Sequence, residues 1–338
     1  MTHPLPPLAL TMGEPAGIGG DIALAAWTRR GEGLPPFVML DSPDRLAKLA
    51  TRLGLAVPIR IVSSPAEAVE LFSQVLPVLP VALPHPVEPG FPNSANAVAV
   101  AGAIERAVKL ALAGEVSGIV TNPIHKKVMY QGGFRFPGHT EFLAALAVPQ
   151  SGREVMMLTC PGLRVVPVSI HISLAQAVAT LSTEAIVAVA TVTARALTRD
   201  FGIAAPRLAV AGLNPHAGEG GTMGREDIDI VAPAVERLRQ AGIDAIGPLP
   251  ADTLFHERAR RGYDAALCMY HDQALIPLKT IGFDRGVNVT LGLPVVRTSP
   301  DHGTAFDLAG SGRAGADSLI AALKSAAEIA ANRARLNV

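Results

Sequence analysis

The chain has 338 residues, enough for two ordinary domains or one large one, and 49% of them are apolar, so a sizeable core can form. Lys plus Arg and Asp plus Glu each number 29, which leaves no basic block for nucleic acid and no polybasic helix for a membrane surface; an anionic substrate must be met by locally placed cations. Cys160 and Cys268 are no disulfide framework and read as buried, reduced thiols of a cytoplasmic protein.

Residues 1–15 have neither a cationic start nor a long apolar segment, so no signal peptide is expected. Leu8 to Met12 reads as a strand, followed by a Gly-rich turn and a helix from Asp21 to Thr28. Phe37 to Leu40 is a second strand. Ser42 to Leu53 reads as a helix capped by Ser42, with Pro43 in its first position and Gly54 ending it. Pro84 to Pro92 is a proline-rich linker or ordered loop. Asn96 to Ala113 carries apolar residues at helical spacing and stops at Gly114; Gly118 to Thr121 is the next strand. Ala175 to Leu197 is Ala/Val-rich but holds Gln176, Glu184 and Arg195, which predicts one core helix and no membrane span. Asp317 to Leu336 is the final helix.

Such alternation predicts α/β architecture with mainly parallel sheets and right-handed crossovers. The Gly-rich segment 131–140 marks one domain crossing and residues 302–310 a second. The expected division is therefore 1–135 plus 305–338 as a first α/β domain and 136–304 as a second.

Three histidines each sit just past an apolar, strand-like run: His171, His216 and His271. If those runs lie in one parallel sheet, their C-terminal ends share the edge where open α/β sheets bind ligands. Three imidazoles converging there would hold a divalent cation and leave a coordination position open. Imidazole ligation favours Zn²⁺, with Mg²⁺ or Co²⁺ as alternatives. The segment from Asn214 through His216 and Glu219 to Gly221 is too glycine-dense for packing alone, and such loops turn backbone N–H groups toward ligands.

Gly13-Glu14-Pro15-Ala16-Gly17-Ile18-Gly19 imitates a dinucleotide fingerprint but lacks the third glycine, where Ile22 stands. His125, Lys126 and Lys127 follow a sharp turn and suit either an anion or a solvated loop. His139 and Thr140 stand in a Gly-rich loop, where a threonine can cap the next helix but a histidine points to binding. Lys279, Asn288 and Arg297 interrupt an apolar segment; a buried cation there needs a partner, which an anionic ligand would supply. The run from Ser299 to Gly310 contains His302-Gly303-Thr304-Ala305-x-Asp307, which resembles the cofactor loop of isocitrate and isopropylmalate dehydrogenases.

With these motifs together, nearly the whole chain resembles the 4-hydroxythreonine-4-phosphate dehydrogenase family of pyridoxal phosphate biosynthesis. The match runs from Gly13 to Gly19 through Gly138-His139-Thr140, His171, Asn214 to Gly221, Gly247 to Thr253 and Tyr270 to Gln273 to Arg297 through Ala305; Gly20 departs from the proline common in relatives. The resemblance implies two α/β/α domains of the isocitrate/isopropylmalate dehydrogenase type with an active-site cleft between them. It implies a divalent metal on His171, His216 and His271, and substrate contacts from His139, Thr140, Lys279, Asn288 and Arg297. NAD or NADP would sit on His302, Gly303, Thr304 and Asp307, and the enzyme would be a homodimer with shared active sites. The implied reaction oxidises 4-phosphohydroxy-L-threonine to 2-amino-3-oxo-4-(phosphonooxy)butanoate, which decarboxylates to 3-amino-2-oxopropyl phosphate. Lys279, Asp252 and Asp272 are the candidates for positioning or proton transfer. The closest alternative keeps the chemistry and takes a four-carbon sugar-acid phosphate, erythronate or threonate 4-phosphate. A metal-dependent phosphatase is the rival from another class, and the cofactor-like loop argues against it.

Overall fold

The computed structural model describes residues 5–136, 138–147 and 154–336. Its strands in chain order are β1 (Leu8–Thr11), β2 (Phe37–Asp41), β3 (Ile59–Ile61), β4 (Leu76–Pro80), β5 (Gly118–Thr121), β6 (Val155–Cys160), β7 (Leu163–Pro167), β8 (Arg207–Ala211), β9 (Asp244–Leu249), β10 (Ala265–Cys268), β11 (Val287–Leu291) and β12 (Arg297–Pro300). The helices are α1 (Gly19–Thr28), α2 (Pro43–Arg52), α3 (Ala66–Leu71), α4 (Ala97–Leu112), α5 (Lys126–Gln131), α6 (His139–Ala147), α7 (Leu174–Thr180), α8 (Thr183–Arg199), α9 (Ala232–Gln240), α10 (Glu257–Arg260), α11 (His271–Gly282) and α12 (Asp317–Leu336).

The chain forms two compact units, one of residues 1–154 and 293–334, the other of residues 155–292 and 335–338. In the first unit the strands run β3-β4-β2-β1-β5-β12, every pair parallel. Strands β1 and β2 are buried on both faces, which is why they read as continuous apolar runs. Helix α2 starts where the sequence placed it: Ser42 Oγ accepts from Arg45 N, and Pro43 occupies the first turn. In the second unit the order is β11-β6-β7-β10-β8-β9. Strands β7, β10, β8 and β9 are parallel, and β6 runs antiparallel to both β7 and β11.

Three expectations need correction. The first domain crossing falls after residue 154, not at 135, and the second after 292, not at 304. The Gly-rich loop before His139 leads into α6, whose Phe142, Leu143 and Ala144 pack into the first unit's core with Ala103, Ala107 and Met129. The single helix expected over 175–197 is two, α7 and α8, meeting at 96°. Leu181 is extended there, and Ser182 starts a new helix by accepting from Ala185 N. β6 and β7 form a hairpin around Pro161 and Gly162 in place of a helical crossover. Among the described residues no single helix is long and apolar enough to cross a membrane.

Candidate active site

The three histidine-bearing runs are neighbouring parallel strands: β10 lies between β7 and β8, so all three C-terminal ends share one edge of the second unit's sheet. His171 and His271 meet there, with ring centroids 5.8 Å apart and planes at 44°. Both line a cavity of about 230 Å³ together with Ser169, Tyr270 and Asp272. Their loops are tied to each other: Ser169 Oγ donates to Met269 O at 2.8 Å, and Val168 N to Cys268 O at 2.7 Å. Gln273, buried at the start of α11, accepts from Met269 N and donates to Gly212 O, both at 2.7 Å, which fastens the end of β10 to the end of β8. His271 Nδ1 bonds Asp272 Oδ1 at 2.7 Å. This carboxylate–imidazole contact leaves Nε2 as the ring atom for a ligand.

His216 does not join them within one chain. Among the described residues no three His, Cys, Asp or Glu side chains gather closely enough to hold an ion. The trio expected from the sequence is therefore present as a pair. The reason is local: β8 lies on the far side of β10 from β7, and His216 sits in a left-handed turn, φ 52° and ψ 28°, with its side chain exposed.

The other second-unit candidates lie along or near α11. Asp252 and Asp272 line one open cavity of about 460 Å³ with Tyr270, Ile276 and Thr280. Lys279 lies two turns beyond His271, its Nζ 5.5 Å from the ring centre of Phe283. Asn288 on β11 has an enclosed Oδ1 without a hydrogen-bond partner.

In the first unit, Arg297 and His139 come together. Arg297 is 3% exposed, and its Nη2 donates to Thr121 Oγ1 at 2.9 Å. Burial pushes the guanidinium down to about 10, and the Glu141 carboxylate offsets part of that. His139, the first residue of α6, has an enclosed Nε2 with no partner. Burial, and then the Arg297 charge, push His139 down to about 3, so it is neutral at working pH. The side chain of Thr140 lies outside the described residues. Glu141 and Gln273 stand in motifs singled out in the sequence, which assigns neither a role. Glu141 was legible as an acid directly after the Gly138-His139-Thr140 motif.

The depressed His139 value has a stability consequence. Its folded pKa lies below the unfolded value near 6.5, so the unfolded chain takes up a proton first as pH falls. The stabilisation is complete above about pH 6.5 and is lost progressively toward pH 3. His139→Gln should flatten the fall of Tm between those limits in a calorimetric pH series. An unchanged slope would contradict a neutral buried His139.

The His302–Gly310 loop is clamped against the Gly13–Gly20 turn. Ile18 N donates to Thr304 O at 3.0 Å, and Gly310 N to Asp21 Oδ1 at 2.7 Å. A Cβ on Gly17 would stand 2.9 Å from Thr304 O, so glycine here permits close packing of turn on loop. The fingerprint-like turn thus supports the other loop. Thr304 is buried, while Gly303 and Asp307 are exposed and His302 is half-buried. Beside them, Gly17, Asp21, Lys48, Arg52 and His85 line a cavity of about 620 Å³. Arg45 also lines it and pairs with the buried Asp41.

Two α/β units that bring polar loops to the carboxyl ends of parallel strands define a small-molecule enzyme of the open-sheet class. The chain belongs to the family of the pyridoxal phosphate biosynthetic protein PdxA, whose profile matches residues 34–326. A 4-hydroxythreonine-4-phosphate dehydrogenase of Methylorubrum populi is 57% identical over 331 residues, 96% of this chain and 94% of that protein. The crystal structure of 4-hydroxythreonine-4-phosphate dehydrogenase from Klebsiella pneumoniae is 39% identical with a TM-score of 0.86, covering 96% of this chain and 99% of the other. A terephthalate 1,2-cis-dihydrodioldehydrogenase from Burkholderia xenovorans is 29% identical with a TM-score of 0.64, covering 96% and 98%.

Proposed function

We propose that this chain is a divalent-metal-dependent dehydrogenase that oxidises 4-phosphohydroxy-L-threonine with NAD or NADP in the cytoplasm. The observation that carries the reading is the approach of His171 to His271 at the ends of two adjacent parallel strands, in a member of this family. The donor chemistry fits a divalent cation: two imidazoles share one cavity, and a carboxylate stands behind one of them. We assign the third ligand to His216 of a second copy, in a homodimer with shared sites. The exposed apolar side chains Ile172, Leu174, Met223, Ile228, Ile276 and Phe283 of the second unit support such pairing.

For the dinucleotide we assign His302, Gly303, Thr304 and Asp307 with the neighbouring 620 Å³ cavity, where Asp21 Oδ2 is enclosed and without a hydrogen-bond partner. When bound, the cation lowers the pKa of the alcohol it touches and the nicotinamide accepts hydride. The chain's own residues do the rest. Arg297 holds an anionic group of the substrate, and Lys279 supplies a second cation. His139, neutral, offers Nε2 as a hydrogen-bonding partner that needs no counter-charge. Asn288 presents Oδ1 to a donor such as the 2-amino group. C3 gives up its hydrogen with the bonding pair, and the hydroxyl proton passes to Asp252 or Asp272. Loss of carbon dioxide from the resulting β-keto acid leaves its electron pair on the adjacent ketone as an enolate, which takes up a proton.

The test is a steady-state assay that follows reduced nicotinamide with 4-phosphohydroxy-L-threonine and, separately, erythronate 4-phosphate, before and after chelation. Turnover of the amino acid that disappears with the chelator and returns with added metal is expected. A preference for the sugar acid, or a full rate without metal, would overturn the reading.

A further inference from the structure

The segment that carries His216 is wound the wrong way for L residues. His216, Ala217, Gly218, Glu219 and Gly220 follow one another with φ of 52°, 51°, 77°, 40° and 65°, a left-handed turn in which three residues are not glycine. Left-handed backbone crowds Cβ against the following carbonyl, so such a run persists only where its surroundings impose it.

Against this turn lies Asp227, which is 1% exposed. Its Oδ1 accepts from Leu213 N at 2.7 Å. Its Oδ2 accepts from Asn214 N at 3.0 Å and from Asn214 Nδ2 at 3.1 Å. Asn214 is held further by Glu226 Oε2 at 2.8 Å, and its own carbonyl accepts from Ala217 N at 3.0 Å. The carboxylate therefore fixes the residue from which the left-handed turn departs. It also fills the space beneath the turn: Cβ atoms on Gly212 and Gly218 would stand 3.0 Å and 3.4 Å from its two oxygens. Asp227 itself opens a π-helical stretch, Asp227–Val231, that runs into α9, so its backbone is anchored in a helix. Wide turns of this kind are frequent at functional sites.

We propose that Asp227 is a positioning residue for His216. Its carboxylate sets the start and direction of the left-handed turn, and through it the orientation in which the imidazole is offered to a divalent cation. This rests on the reading of His216 as a metal ligand. Only a carboxylate suits the place. All three contacts are N–H donors, and an amide of the same size would set its own NH₂ against one of them.

Co²⁺ titration of the chelator-stripped full-length protein tests this, read by calorimetry and by the visible d–d absorption, on wild type, D227N, H216A and the double variant. D227N is expected to weaken Co²⁺ binding about 10- to 100-fold and to alter the d–d spectrum. In the H216A background D227N should add nothing, because the two residues act on one ligand. Wild-type affinity in D227N, or the same added loss with and without His216, would overturn the proposal. A purely structural role gives the second pattern. Unchanged affinity in H216A would instead sink the ligand reading, and the proposal with it. Should D227N not fold, Asn214→Ala removes one of the three donors and enters the same cycle, with a smaller loss expected that again vanishes without His216.

Discussion

Arg297→Met should cut kcat/KM for the phosphorylated substrate by about 2–5 kcal/mol, roughly 30- to 4,000-fold. Arg297 is 3% exposed in β12, so its charge has left water. The Thr121 hydroxyl is one of its partners, and Glu141 acts on it electrostatically. Burial lowers the guanidinium only to about 10, so it stays charged at neutral pH. A fold that keeps a cation under these conditions gains from an anion that arrives as ligand. Methionine fills similar volume without the charge, so the anion loses its counter-charge. Lysine would keep the charge and lose the forked geometry, and should fall between the two. Steady-state kinetics and thermal denaturation of the three proteins decide the matter. An Arg297→Met enzyme of unchanged kcat/KM, or one that simply melts, would assign the residue to structure.

Elements whose signals are local were readable. Ser42, Pro43 and Gly54 mark the ends of α2 because capping and chain reversal involve only neighbouring residues. The apolar runs before His171, His216 and His271 announced strands, and buried parallel strands carry that continuous pattern. What stayed hidden depends on residues distant in sequence. Whether residues 138–147 leave the first unit is decided by Phe142 and Leu143 packing against α4, which no periodicity encodes. The left-handed His216 turn lies against Asp227, eleven positions later, so an isolated reading of the Gly-rich run could give flexibility but not direction. Two misses had local signals. Pro161-Gly162 is a hairpin turn, and Ser182 is a helix cap inside what read as one helix.

The same asymmetry shapes the expectation for His271→Ala. Removing this imidazole should strip the divalent metal and lower kcat by roughly three orders of magnitude or more, since a cation supplies several kcal/mol at an alcohol losing its proton. Affinity for the dinucleotide should stay near that of wild type, because the residues assigned to it, His302 to Asp307, belong to the other compact unit. Asp272→Asn separates ligation from orientation. It leaves His271 in place and weakens the 2.7 Å contact at Nδ1, so metal affinity should fall about 10- to 100-fold and recover at high metal concentration. His271→Ala should not recover in that way. Metal content by elemental analysis, dinucleotide binding by fluorescence and kcat across a metal titration make the distinction. If His271→Ala keeps both its metal and its turnover, the imidazole pair is a packing contact, and the cation must be sought elsewhere in the chain.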